Sequence, residues 1–185
     1  MSSLDPSQRN SLIDALGEAQ RIGMLGPGDL GIAVDQAVSL ARLIPDTATS
    51  FVDLGSGGGL PGLAVALARP DLAGVLVDRR GKRVDLLVRL LGRLGLAGRI
   101  EAVEADVIDL PRRFPGVTWS VATSRGFGPP PYTAQHAAPL LSSGGLLLVT
   151  EPPGSTGERW ETPEVWESGL SLVTVSSGIA VLVRS

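Results

Sequence analysis

Phe51-Val52-Asp53-Leu54-Gly55-Ser56-Gly57-Gly58-Gly59-Leu60-Pro61-Gly62 is the stretch that decides how this chain folds. An apolar strand end at 50–54 runs into five glycines within eight residues. A helix is expected to start at Pro61, whose missing N–H is one that a first helical turn leaves unpaired anyway. Glycines allow positive φ and let the backbone approach a ligand closely. The helix aims free N–H groups and a partial positive charge at that ligand. Such a strand, loop and helix can hold the polar part of a nucleotide-like cofactor. A merely structural turn has no use for so many glycines.

Two glycine patterns overlap in the loop. Gly57-x-Gly59-x-x-Gly62 fits the dinucleotide fingerprint. Asp53-x-Gly55-x-Gly57-x-Gly59 fits the acidic glycine loop of proteins that bind S-adenosylmethionine (SAM). Asp53 separates the two on charge. A carboxylate repels a diphosphate but suits a cofactor that carries a sulfonium and an ammonium. The next strand ends in Asp78, 21 residues beyond Gly57. An acid there can take the ribose hydroxyls of either cofactor, so Asp78 does not discriminate. SAM is the expected cofactor, and an NAD-dependent oxidoreductase is the disfavoured alternative.

Around this loop the pattern repeats. Apolar strands fall near 50–54, 74–78, 100–104, 118–123 and 145–150, a spacing that suits βαβ units and a parallel sheet. The helical stretch 82–94 puts Val84, Leu87, Leu90, Leu91 and Leu94 on one face and ends at Gly95. Residues 170–175 and 179–183 alternate on either side of Ser176-Ser177-Gly178 and read as a hairpin. Five parallel strands and a terminal antiparallel hairpin make the plan of class I SAM-dependent methyltransferases. That is an α/β, Rossmann-like, seven-stranded sheet of order 3-2-1-4-5-7-6. Residues 6–24 and 29–43 read as helices on either side of Gly26-Pro27-Gly28, with Asp29 as an N-cap. Residues 1–48 are expected to pack as an N-terminal helical segment on the core of one domain, 1–185. The Pro-rich stretches 129–131 and 152–153 follow strands four and five. They fall at the carboxyl edge of the sheet, where open α/β folds bind ligands.

Composition narrows the chemistry. At 185 residues, 43% hydrophobic, the chain suits one packed domain. The absence of cysteine excludes thiolate nucleophiles and Cys-ligated zinc, and a single histidine, His136, makes a His-rich metal site untenable. No metal is expected. The first residues are polar, and no apolar run approaches the ~20 residues of a membrane span. A cytoplasmic location without membrane contact is the expectation. A net charge of −3 gives no global attraction to nucleic-acid phosphate, so any RNA surface must be local. Arg79, Arg80, Lys82 and Arg83 form the dense basic cluster.

The loop 53–62 closely resembles the SAM loop of the small-subunit (16S) ribosomal RNA methyltransferase G family, also called glucose-inhibited division protein B. The Leu60-Pro61-Gly62 extension is its specific part. Ala122-Thr123-Ser124-Arg125-Gly126-Phe127 resembles that family's Ser-Arg-Ala segment after strand four, and Asp78-x-x-x-Lys82 its acid and lysine after strand two. The resemblance covers roughly residues 30–150 and marks the chain as a divergent member. It implies methyl transfer from SAM to N7 of a guanosine in small-subunit ribosomal RNA. It places Gly55, Gly57 and Gly59 under the methionine end, Asp78 at the ribose and Asp106 near the adenine. Ser56, Leu60 and Arg79 complete the expected cofactor contacts, with Asp53 at the strand tip. Arg125 is expected to face the substrate, and small-subunit ribosomal RNA is the expected partner. The departures are Gly31-Ile32 in place of an Arg-His pair, Glu104 in place of an arginine, and Glu151-Pro152 in place of Lys-Gly. Each removes positive charge from the expected RNA face. A small-molecule or other-RNA methyltransferase, or a SAM-binding module without turnover, therefore stays open.

Guanine N7 is a lone-pair acceptor without a proton, so methylating it needs no general base. Orientation against the methyl group then carries the catalysis. The lack of Cys and the single His are compatible with that. Phe127 and Tyr132 are candidates for stacking a base. Trp119 is expected in the core, Trp160 and Trp166 on the surface, and His136 as a structural helix residue.

Overall fold

Along the central strands, successive apolar side chains enter different cores. Phe51, Leu76, Val121 and Leu148 join one buried cluster; their neighbours Val52, Val77, Ala122 and Leu147 join another. This is the two-residue alternation of a sheet covered on both faces. In the computed structural model, which describes residues 3–185, that sheet has seven strands in the order β3-β2-β1-β4-β5-β7-β6. The strands are β1 Ser50–Leu54, β2 Ala73–Asp78, β3 Ile100–Glu104, β4 Trp119–Ser124, β5 Leu141–Thr150, β6 Leu170–Ser176 and β7 Ile179–Arg184. The first five are parallel. β7 runs antiparallel to both β5 and β6, as the terminal hairpin requires.

Helices α1 (Pro6–Arg21), α2 (Leu30–Ala41), α3 (Gly62–Ala68) and α4 (Gly81–Arg93) cover one face. Leu12 and Leu16 of α1 and Val34 and Leu40 of α2 share a cluster with Leu63, Phe51 and Leu76. The amino-terminal helices thus lie on the sheet core. α1 opens with a capping box: the Asp5 carboxylate accepts from Ser7 and Gln8 N–H, and Gln8 returns a bond from its side chain. Asp29 caps α2 through Ile32 N–H at 2.9 Å. Arg9 and Asp35 join the two helices at 3.1 Å. The other face carries α5 (Leu110–Arg113), α6 (Pro130–Ala137) and α7 (Pro163–Glu167), packed with Trp119, Leu147 and Leu182. No helix of the described residues is long and apolar enough to cross a membrane.

Several sequence expectations need correction. α3 begins at Gly62, with Pro61 at its cap. The Pro-rich stretch 129–131 does follow β4 at the carboxyl edge, with Pro129 as the cap of α6 and Pro130 and Pro131 in its first turn, because proline suits a helix start. β5 begins at Leu141, four residues early. Leu141 pairs with Trp119, and the register shifts over the polar residues before Val121 pairs with Leu146. Trp160 is buried rather than on the surface, whereas Trp166 is 53% exposed. Trp160 Nε1–H donates at 2.9 Å to Glu151, a buried carboxylate that also takes Ser155 Oγ–H and lies 3.5 Å from Arg159. Glu151 therefore holds the loop after β5 together and presents little charge outside.

Candidate active site

Strands β1 to β4 all end on one edge of the sheet, and the chain reverses its winding between β1 and β4. A cleft of about 450 Å³ opens there. Its walls are Gly55 after β1, Asp78 to Arg80 at the end of β2, Asp106 after β3 and Gly126 to Gly128 after β4, with Arg83 and Tyr132 beside them. Val77, Ala105 and Val107 add apolar surface.

Asp78 ties the site together. It is 4% exposed. Its Oδ2 accepts Gly57 N–H at 3.0 Å and meets Arg83 at 3.3 Å, while Oδ1 accepts Arg80 N–H at 3.0 Å. A carboxylate has about four lone-pair sites, so three donors leave it able to accept one more from the cleft. Gly57 can turn its N–H inward because its φ is +54°, a region costly for residues with a Cβ. Asp106 caps a 3₁₀ turn at Val107–Asp109 through Ile108 N–H, 3.1 Å from Oδ1, which leaves Oδ2 free in the cleft wall.

Asp53 is elsewhere. The strand-tip carboxylate expected beside the cofactor is completely buried and does not line the cleft. Thr123 Oγ1–H donates to its Oδ1 at 2.6 Å, and its Oδ2 meets no hydrogen-bond partner of normal geometry among the described residues. A Cβ on Gly62 would stand 2.7 Å from that Oδ2, so α3 approaches this closely only through glycine. Burial pushes the Asp53 carboxyl up to about 6 against the opposing pull of the Thr123 hydrogen bond. The physical reason is register. Asp53 pairs with Thr123 and shares the strand face of Phe51, the face that α3 covers. The charge argument against an anionic cofactor therefore does not work through contact with Asp53.

The other expected residues divide. Gly55, Asp78, Arg79 and Asp106 line the cleft; Ser56, Gly57, Gly59 and Leu60 are buried behind it as loop scaffold. Ser56 Oγ–H donates to the Asp53 carbonyl at 3.0 Å and closes the turn. Arg125 is exposed at the end of β4, next to the lining residue Gly126, and is not itself part of the lining. Phe127 packs on Gly55: a Cβ there would lie 2.9 Å from its ring. The Phe127 ring stands 5.5 Å from Tyr132, and Tyr132 stands 4.4 Å from the edge-on ring of His136. Thr123, the residue that holds Asp53, lies within the 122–127 segment. Arg83 belongs to the basic cluster, and its reach to Asp78 has no local sequence signal.

A family model for rRNA small subunit methyltransferase G matches residues 33–168. The chain belongs to this family. Among curated relatives, the ribosomal RNA small subunit methyltransferase G of Salinispora arenicola is 31% identical, over 82% of this chain and 69% of its own length. The fold also recurs in solved structures. Cofactor-bound Rv0187 from MTB aligns with a TM-score of 0.66 at 16% identity, covering 94% of this chain and 89% of that one. A putative O-methyltransferase from Klebsiella pneumoniae aligns with a TM-score of 0.66 at 16% identity, covering 99% and 92%. These two likenesses speak for the fold alone. Family membership makes the chain a methyltransferase that draws on a SAM-type methyl donor, and it removes the oxidoreductase alternative.

Proposed function

We propose that the cleft binds SAM and that the chain methylates guanosine N7 in small-subunit ribosomal RNA. The observation that carries this reading is the meeting of Gly55, Asp78 and Asp106, from three different strand ends, around one cleft. The donor set suits the cofactor. Asp78 has one acceptor position left for a ribose hydroxyl, and the free Oδ2 of Asp106 can accept from an adenine amino group. Val77, Ala105 and Val107 offer apolar walls to the base. Asp53 and Thr123 act from behind by joining the ends of β1 and β4.

When bound, SAM supplies a methyl group activated by its sulfonium. The chain's own part is to orient. Phe127 and Tyr132 present aromatic surface at the cleft for the acceptor base. Arg125 stands at the mouth, able to bind guanine O6 or a phosphate. Because N7 has no proton to lose, none of these residues needs to act as a base.

The test is tritiated-SAM transfer onto small ribosomal subunits and onto naked small-subunit ribosomal RNA, both from a strain lacking this activity, with the modified base mapped. Label at a guanosine N7 is expected. No label in either, from protein that binds SAM by calorimetry, rejects the ribosomal substrate.

A further inference from the structure

The lip of the cleft carries cations that a SAM-type donor does not explain. Arg79 and Arg80 both line it, beside Asp78. Several other guanidiniums are committed: Arg9 to Asp35, Arg69 to Asp71, Arg89 and Arg93 to Glu18, and Arg99 to backbone carbonyls. The side chains of Arg79 and Arg80 have no such partner among the described residues. Among the described residues, the nearby acids form no ion pair with them. Asp78 holds Gly57, Arg80 N–H and Arg83, and Asp106 caps its turn. Glu104 lies against Gly81, at the amino end of α4, where a Cβ would come 2.9 Å from its carboxylate.

The nucleoside half of SAM has no anionic group to neutralise two guanidiniums next to the ribose acid. A phosphodiester does, and the guanidinium fork matches its paired oxygens. We propose that Arg79 and Arg80 dock a phosphodiester of the acceptor RNA strand at the cleft lip. They thereby position the strand across the cleft between the end of β2 and the end of β4. Arg79 then serves the acceptor rather than the cofactor. This rests on the RNA reading above and adds to it the route of the strand.

The experiment compares wild type, R79A/R80A and R79K/R80K. Three readouts are taken: SAM affinity by calorimetry, binding of naked small-subunit ribosomal RNA across a salt series, and KM and kcat for methyl transfer. Both side chains are exposed and unpaired, so the variants are expected to melt with the wild type. R79A/R80A is expected to bind the RNA about tenfold or more weaker, with a salt slope lower by about 1 to 2. KM for RNA should rise while kcat and SAM affinity stay within about twofold. R79K/R80K should keep the salt slope. A wild-type enzyme that methylates RNA, alongside an R79A/R80A variant with unchanged RNA affinity and slope, overturns the inference alone. So does a loss of SAM affinity, which returns both residues to the cofactor. A wild-type protein that binds SAM but neither binds nor methylates the RNA overturns the RNA reading itself.

Discussion

The backbone N–H of Gly57 donates to Oδ2 of Asp78 at 3.0 Å, so the glycine loop after β1 is fastened to the acid that ends β2. Glycine conformation and carboxylate position thus form one unit. Arg83 from α4 leans on the same oxygen and extends the unit to a third element. Asp78 is therefore both a wall of the cleft and the post that keeps the loop in shape.

Asp78→Ala should damage both roles at once. It strands two backbone donors, Gly57 N–H in the buried loop and Arg80 N–H at the cleft lip. Leaving buried donors unpaired costs about 1–3 kcal/mol each, less where water can enter. Urea unfolding is expected to show a loss of roughly 2 kcal/mol. SAM affinity by calorimetry should fall by more than about tenfold, since a charge-assisted bond to the ribose is lost as well. Unchanged SAM affinity in a folded Asp78→Ala protein would show that the acid does not face the cofactor.

Asp53 makes the fold sensitive to pH. Its carboxyl is raised to about 6 in the folded chain, above the unfolded value of 3.8, chiefly by burial. Between these values the folded state holds a proton that the unfolded state has released. The contribution of Asp53 is thus fully present below pH 3.8 and is lost as pH rises through about 6. At about 1.4 kcal/mol per pKa unit, the change is on the order of 3 kcal/mol. Asp53→Asn keeps an acceptor for Thr123 Oγ1–H and carries no charge at any pH. Urea unfolding from pH 4.5 to 7.5 should therefore show a flatter profile for the variant, and greater stability than wild type at pH 7.5. Parallel profiles for the two proteins would refute the assignment.

The difference between what the sequence discloses and what it hides is physical. Strands β1, β2 and β3 were legible because both sheet faces are covered, which leaves short apolar runs between turn residues. The terminal hairpin was legible from alternation around Ser177-Gly178. Helices α5 to α7 are four to eight residues long, too short for helical periodicity to register. In the site, Asp78 and Asp106 could be placed because each lies at or just beyond a strand end. The burial of Asp53 needed the sheet register and the covering helix, which local sequence does not contain. Trp160 was misplaced for the same reason: its partner Glu151 lies nine residues upstream, across a loop with no periodic pattern.

Glu151→Ala should loosen the β5–β6 connection without touching the cleft. The buried Trp160 Nε1–H and Ser155 Oγ–H both lose their acceptor. Stability is expected to fall by about 1–3 kcal/mol. Trp160 should meet water, so tryptophan emission should shift to the red, and limited proteolysis should cut within 152–159. Glu151→Gln, which keeps an acceptor for the indole, should recover most of the stability. If both variants unfold and fluoresce as wild type does, the carboxylate is not what holds the loop.

Arg125 separates the acceptor side of the site from the cofactor side. It follows β4, outside the cleft lining, and the adjoining Gly126 forms part of the wall. An exposed guanidinium there cannot reinforce the fold through burial, and it has no acid partner among the described residues. Removing it should leave thermal stability and SAM affinity almost unchanged. Its contribution should emerge only with RNA present, as one charge-assisted bond to guanine O6 or phosphate, worth roughly 1.5–3 kcal/mol. Arg125→Ala is therefore expected to lower kcat/KM for methyl transfer by about ten- to a hundredfold. Arg125→Lys distinguishes the two possible contacts. A phosphate contact tolerates the point charge of lysine, whereas a forked contact to the base does not. Recovery in Arg125→Lys with an unchanged salt slope would put Arg125 on phosphate. Persistent loss with a normal slope would put it on the guanine. Wild-type transfer by Arg125→Ala would take Arg125 out of the site altogether.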